Sequence, residues 1–153
     1  MDKLPNLHQP TADICTAGQP TTDQISQIAD AGFSAVINLA MHNSENAIAD
    51  EGSIVCSRGM SYFHIPVPFN APTAKQVKQF FGVMDGLKGE KVFIHRVVNA
   101  RASAFTYKYL TLKNHMDSKQ ATSPLLEQWQ STMSDAWKEL MCLSLDEIEH
   151  AND

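Results

Sequence analysis

Between residues 14 and 112 the chain alternates short apolar runs with capped helical segments, and this alternation restricts its fold more than any other feature. Ile14–Ala17 reads as a short strand. Thr21 and Gln24 then form a capping box opening a helix that turns Ile25, Ile28 and Ala29 inward, and Gly32 closes it. Residues 33–39 are a continuous apolar run, as a strand buried on both faces requires. A helix over 45–58 stops at Gly59, and 62–67 is the next strand, ended by its prolines. Thr73 and Gln76 make a second capping box, after which Val77, Phe80, Phe81, Met84 and Leu87 recur at helical spacing before Gly89. Residues 91–94 form a fourth strand, and Ala100–Leu112 a helix with Ala102, Phe105, Tyr109 and Leu112 on one face.

Such alternation predicts an α/β fold with a central, mostly parallel sheet of four or five strands, helices on both faces and right-handed crossovers. The run at 91–94 is apolar on both faces and belongs in the sheet interior. After a polar stretch at 117–122, helix signals return at Ser123-Pro124 and continue through Trp137, Leu140, Met141 and Ile148, predicting C-terminal helices that pack as a cap. With 153 residues, 43% of them hydrophobic, the chain can build one good core. The expectation is therefore a single domain, 1–153, with its core at about 12–116 and the helical cap at about 117–150.

The segment 91–103 carries the chemistry. It is a strand, a loop and a helix start, so the loop lies at a strand's carboxyl end and a helix's amino end, where unpaired N–H groups and the helix dipole favour an anion. Asn99 suits a turn there, because Asn tolerates positive φ better than most residues with a Cβ. Arg101 adds a planar fork of donors matched to phosphate or sulfate oxygens. The candidate anion-binding set is Arg96, Val97, Val98, Asn99, Ala100, Arg101 and Ala102, with His95 and Ser103 in support. An ordinary strand-to-helix turn with an Arg paired to an acidic residue would share this spacing.

These residues, with Thr16-Ala17-Gly18-Gln19-Pro20-Thr21 at the front and Val36-Ile37-Asn38-Leu39 in the second strand, resemble the dual-specificity-phosphatase-like proteins of the beta-lactamase-hydrolase-like phosphatase family, a bacterial branch of the cysteine phosphatase fold. The resemblance covers roughly residues 14 to 112. It implies a His-Cys-x-x-x-x-Arg loop, a gap shared with rhodanese-type sulfurtransferases, so a sulfur oxyanion stays open beside phosphate. It places the catalytic cysteine at position 96, where this chain has Arg96. A guanidinium stays protonated and has no lone pair to offer, so Arg96 is not a nucleophile. The resemblance also implies a general-acid Asp in the loop after the preceding strand, yet residues 66–73 contain no carboxylate. No catalytic residue is assigned.

Other features narrow the function by exclusion. The net charge is -5 and the pI about 5.6, with no basic run, so a nucleic-acid partner is not expected. No run approaches the roughly 18 apolar residues of a membrane span, and residues 1–10 lack the apolar core of a signal peptide. No membrane partner is expected and the cytoplasm is the default location, with a processed secreted protein still open. Cys15, Cys56 and Cys142 suit reduced thiols, Cys56 and Cys142 being expected as small buried hydrophobes on helices. The six histidines lack metal-ligand spacing, and no metal site or cofactor is indicated. Trp129 and Trp137 are expected in helix packing, Asp50 and Glu51 on a solvated face, and Gln19 and Asn38 as turn caps. Three functions emerge as expectations: a catalytically impaired phosphatase-like protein that binds phosphate, sulfate or a phosphoester at the loop from His95 to Arg101; an active phosphatase or sulfurtransferase-like hydrolase using another nucleophile such as Cys56 or Ser103; or a structural domain whose Arg96 fills its own pocket. Nothing in the sequence fixes an oligomeric state.

Overall fold

The computed structural model describes residue 1 and residues 3–152. Its elements run in the order β1 (Ile14–Ala17), α1 (Thr22–Asp30), β2 (Ala35–Asn38), α2 (Glu51–Ser57), β3 (Ser61–His64), α3 (Ala74–Gly86), β4 (Val92–His95) and α4 (Ala100–Leu112). Four short helices then complete the chain: α5 (Ser118–Ala121), α6 (Pro124–Gln130), α7 (Asp135–Met141) and α8 (Leu145–Glu149). The four strands form one sheet in the order β1-β4-β2-β3, all parallel, with β4 interior as its apolar run requires. Both neighbours pair with β4 in the same register. Ala17 and Asn38 lie opposite His95, so the loops leaving β1, β2 and β4 emerge side by side.

Successive strand residues face opposite ways, and the sheet is covered on both sides. Ile14, Ile37, Val92 and Ile94 pack with α3, α4 and the C-terminal helices. Cys15, Ala17, Val36 and Phe93 pack with Ile25, Ile28 and Val55 of α1 and α2. Both expected capping boxes form, Thr21 with Gln24 and Thr73 with Gln76. Lys108 of α4 is buried and donates to the carbonyls of Met141 (2.9 Å) and Leu143 (2.6 Å), tying the end of α7 to the helix beneath it. A cation suits that end of the helix dipole.

Several expectations are corrected. Strands β2 and β3 are shorter than the apolar runs 33–39 and 62–67, β3 starting one residue earlier at Ser61; beyond their ends single backbone bonds continue between them, from Ile65 N–H to Asn38 O and from Val67 N–H to Leu39 O. Strand β4 itself is shifted by one residue from 91–94, to Val92–His95, and Lys91 lies outside it. Helix α2 begins at Glu51 rather than near 45: Asn46 sits at φ 64 and breaks the run. On α2 only Glu51 and Val55 are buried, one turn apart, which leaves Cys56 exposed; Cys142, at the end of α7, is exposed as well. Helix α4 is buried around most of its circumference, Ser103, Thr106 and Lys108 included, since it lies between the sheet and the C-terminal helices; Leu112 is only half-buried. The polar stretch 117–122 contains a helix, α5, started by the Asp117 side chain.

Candidate functional site

The loop from His95 to Arg101 emerges from the middle of the sheet and is held by the front of the chain. The Gln19 N–H donates to the carbonyl of Val97 (3.1 Å), Asn6 Nδ2 to that of Val98 (2.8 Å), and Asn99 Nδ2 to Asn6 O (2.7 Å) and Thr16 Oγ1 (3.1 Å). Gly18 permits this approach. A Cβ there would meet Val97 O at 2.7 Å and the Pro5 side chain at 2.9 Å. This close approach explains why the Thr16–Thr21 piece and the loop belong together as a pattern. Asn99 adopts φ 96, as its place in the turn leads one to expect.

Asn99 also fixes the start of α4. Ser103 Oγ donates to Asn99 Oδ1 (3.0 Å), and the Ser123 hydroxyl, which caps α6, donates to Ser103 Oγ (2.9 Å). Ser103 is thus tied into the scaffold. The first helical bond of α4 is from Ser103 N–H to Asn99 O (2.8 Å). Among the described residues, the amides of 97–102 donate to no other protein group, and no side chain caps the helix.

His95 is fully buried and its Nε2 lies 2.6 Å from Glu51 Oε2. Gln19 Nε2 donates to Glu51 Oε1 at 2.8 Å. Burial pushes the Glu51 carboxyl up, but the His95 bond and charge, with the Gln19 amide, outweigh it and hold the group below its ordinary value. Glu51 is therefore not on a solvated face, and Gln19 is more than a turn cap. Asn38 does cap its turn, accepting from Ala40 N–H (2.8 Å) while donating to Tyr62 Oη (3.0 Å).

The two arginines are treated differently from His95. Arg96 is 5% exposed, and its Nη2 donates to the carbonyl of Val67 (2.6 Å) while Nε has no partner among the described residues. Burial, with the charge of Arg101 beside it, pushes its guanidinium down to about 10. Arg101, half-buried, also leaves Nε without a partner, and burial lowers its value too. Its guanidinium carbon lies 3.7 Å from the Phe69 ring centroid, 4.8 Å from Trp129 and 5.6 Å from Trp137. Trp137 is a core residue as expected, but both tryptophans also face this cation. No ion pair to either arginine occurs among the described residues.

Beside the loop is a cavity of about 350 Å³ lined by Arg96 to Arg101 and, across from them, by Met41, Ser44, Glu45 and Phe69. Ala102 is buried behind it, while Val98 and Phe69 are among the few exposed large apolar residues. Cys15, Cys56 and Ser103 do not line it. Glu45, from the loop between β2 and α2, brings to the cavity a carboxylate that the sequence pattern assigns to a helix; the run of turns at 43–50, signalled only by Asn43 and Asn46, could have exposed it.

Residues 5–142 match the model of the family described as DSP-PTPase phosphatase fused to NAD+ kinase. A DUF442 protein of Shewanella putrefaciens CN-32, held to be a phosphatase, shares 33% identity over 92% of this chain and 91% of its own, with a TM-score of 0.83. At lower identity the same fold is found in kinase-associated phosphatase, solved with its catalytic-site cysteine replaced by serine (11%, covering 91% and 89%, TM-score 0.72). It is found too in TpbA of P. aeruginosa, solved in complex with phosphotyrosine (12%, covering 94% and 88%, TM-score 0.68). No curated protein matches the chain in sequence.

Proposed function

The chain belongs to the DSP-PTPase phosphatase family, and from that premise we propose that its loop binds a phosphate, sulfate or phosphoester group and does not cleave it. One observation carries the reading. The loop residues 96–101 line one cavity, the amides of 97–102 donate to no protein group among the described residues, and neither guanidinium makes an ion pair there although Glu45 also lines the cavity, whereas the His95 ring meets the Glu51 carboxylate. Buried or half-buried charge without a counter-charge is costly, and an anion in the cavity would relieve it. Amides of a loop and a helix start are suited to accept a tetrahedral anion.

The absence of cleavage stems from position 96. Arg96 holds the place of the nucleophile and offers no lone pair. The other thiols and Ser103 do not line the cavity, and the Cys15 thiol is pushed up to about 11 by burial, far from a thiolate at neutral pH. Ser44 does line it, but no His or carboxylate is hydrogen-bonded to its hydroxyl among the described residues. A self-filled pocket is disfavoured by the open cavity and by Arg96 bonding a carbonyl rather than an acid.

Thermal melts in increasing inorganic phosphate or sulfate, with p-nitrophenyl phosphate hydrolysis measured in parallel, test this. The expected result is a melting temperature that climbs with anion concentration and no hydrolysis above background. A melting temperature indifferent to both anions at tens of millimolar, or robust turnover, would overturn it.

A further inference from the structure

We propose that Phe69, Trp129 and Trp137 form an aromatic box that presents Arg101 to the anion, making the C-terminal helices α6 and α7 part of the binding site; the inference rests on the anion-binding reading above. The three rings surround one guanidinium at 3.7, 4.8 and 5.6 Å. Rings stacked on a guanidinium meet its faces and leave the N–H edge free, so the cation is oriented without losing a donor. A carboxylate partner would orient Arg101 equally well but would occupy the edge the anion needs.

The box has its own framework. Trp137 is 1% exposed and its Nε1 donates to the carbonyl of Phe69 (2.8 Å), so the loop after β3 is clipped to α7. The rings of Trp129 and Trp137 meet edge-on at 5.1 Å, and Phe105 of α4 backs Trp137 at 5.9 Å. Helix α6 is linked to the loop a second time through Ser123, Ser103 and Asn99. Phe69 closes the box from outside. It is 57% exposed and lines the same cavity as Arg101. Neither tryptophan lines the cavity, so both act through Arg101 and are positioning residues.

Trp129 is half-buried and serves as the probe position, since Trp137 variants endanger folding. The experiment measures inorganic phosphate affinity by calorimetry for wild type, W129A, W129F, R101M and the double variant W129A/R101M. It is paired with the NMR resonance of the Arg101 Nε–H, which ring currents displace whether or not phosphate is present. Expected are a roughly tenfold weaker affinity in W129A, most of it recovered in W129F, and no further loss when W129A is added to R101M. The Nε–H resonance should be displaced in wild type and relax in W129A. A folded W129A that binds phosphate as wild type does, or that weakens R101M as much as it weakens wild type, overturns the box. A wild type that ignores phosphate while its Nε–H stays displaced overturns the anion reading itself, and with it the presenting role.

Discussion

His95 and Arg96 are neighbours on the chain and nearly equally buried, yet their side chains are partnered in opposite ways. His95 meets Glu51 at 2.6 Å, and Glu51 is completed by Gln19. Arg96 meets a carbonyl and the like charge of Arg101, and no carboxylate among the described residues. The first arrangement is closed: it joins β4, α2 and the loop after β1 into one scaffold. The second is open on the cavity side. Among the described residues the His95 ring has a carboxylate partner and the two arginines have none, and the proposed anion would enter from the side of the arginines.

The largest expected effect tests the open side. Arg96→Cys puts a thiol where the loop amides and Arg101 would depress its pKa, so aryl phosphate hydrolysis should emerge from an inert background. Loss of a nucleophile costs up to about 10^6 in turnover and an absent general acid about 10^2 to 10^4, so a gain of roughly 10^2 to 10^4 over wild type is expected with p-nitrophenyl phosphate. A well-folded but inert variant would break the comparison by showing that the loop is no longer a phosphatase cradle.

The closed side should fail by unfolding. Glu51→Ala strands His95 and Gln19 in the core and should cost about 3 to 5 kcal/mol in urea denaturation. A loss under about 1 kcal/mol would mean that the pair holds nothing together. Acid should act in the same direction. The Glu51 value is lowered from 4.5, so its contribution is complete above pH 4.5 and disappears as pH falls through the lower folded value. Melts of wild type against Glu51→Gln between pH 3 and 7 should therefore converge toward the acid end, and parallel curves would refute the assignment.

Arg96→Met gives the smallest effect and sharpens the contrast. Replacing a buried cation that makes no ion pair among the described residues by an apolar side chain of similar length should leave the anion-free protein within about 1 kcal/mol of wild type, or slightly more stable. The phosphate-dependent rise in melting temperature should be largely lost at the same time. A variant that melts far below wild type would show Arg96 to be structural, like His95.

Much of the fold was legible because its signals are short-range. Capping boxes at Thr21 and Thr73, the apolar runs of β1 and β4, and positive φ at Asn99 each depend on residues within a few positions of one another. The strand-to-helix turn that carries residues 95 to 103 was legible for the same reason. Glu51 was misread because its environment is supplied by His95, 44 residues away. Cys56 was misread because one step along a short helix turns a side chain from core to solvent.

By itself, then, the sequence determined the alternating elements, the place of the loop and the chemistry excluded at position 96. Only the tertiary structure decided which charges are paired. The strand order β1-β4-β2-β3 sets β4 between its neighbours, and α2 packs beside them to bring Glu51 under the loop, while α6 and α7 fold back to set Trp129 and Trp137 against Arg101. Pairing depends on distance in space, and through a dielectric that changes from core to surface; neither quantity exists until the chain has closed on itself.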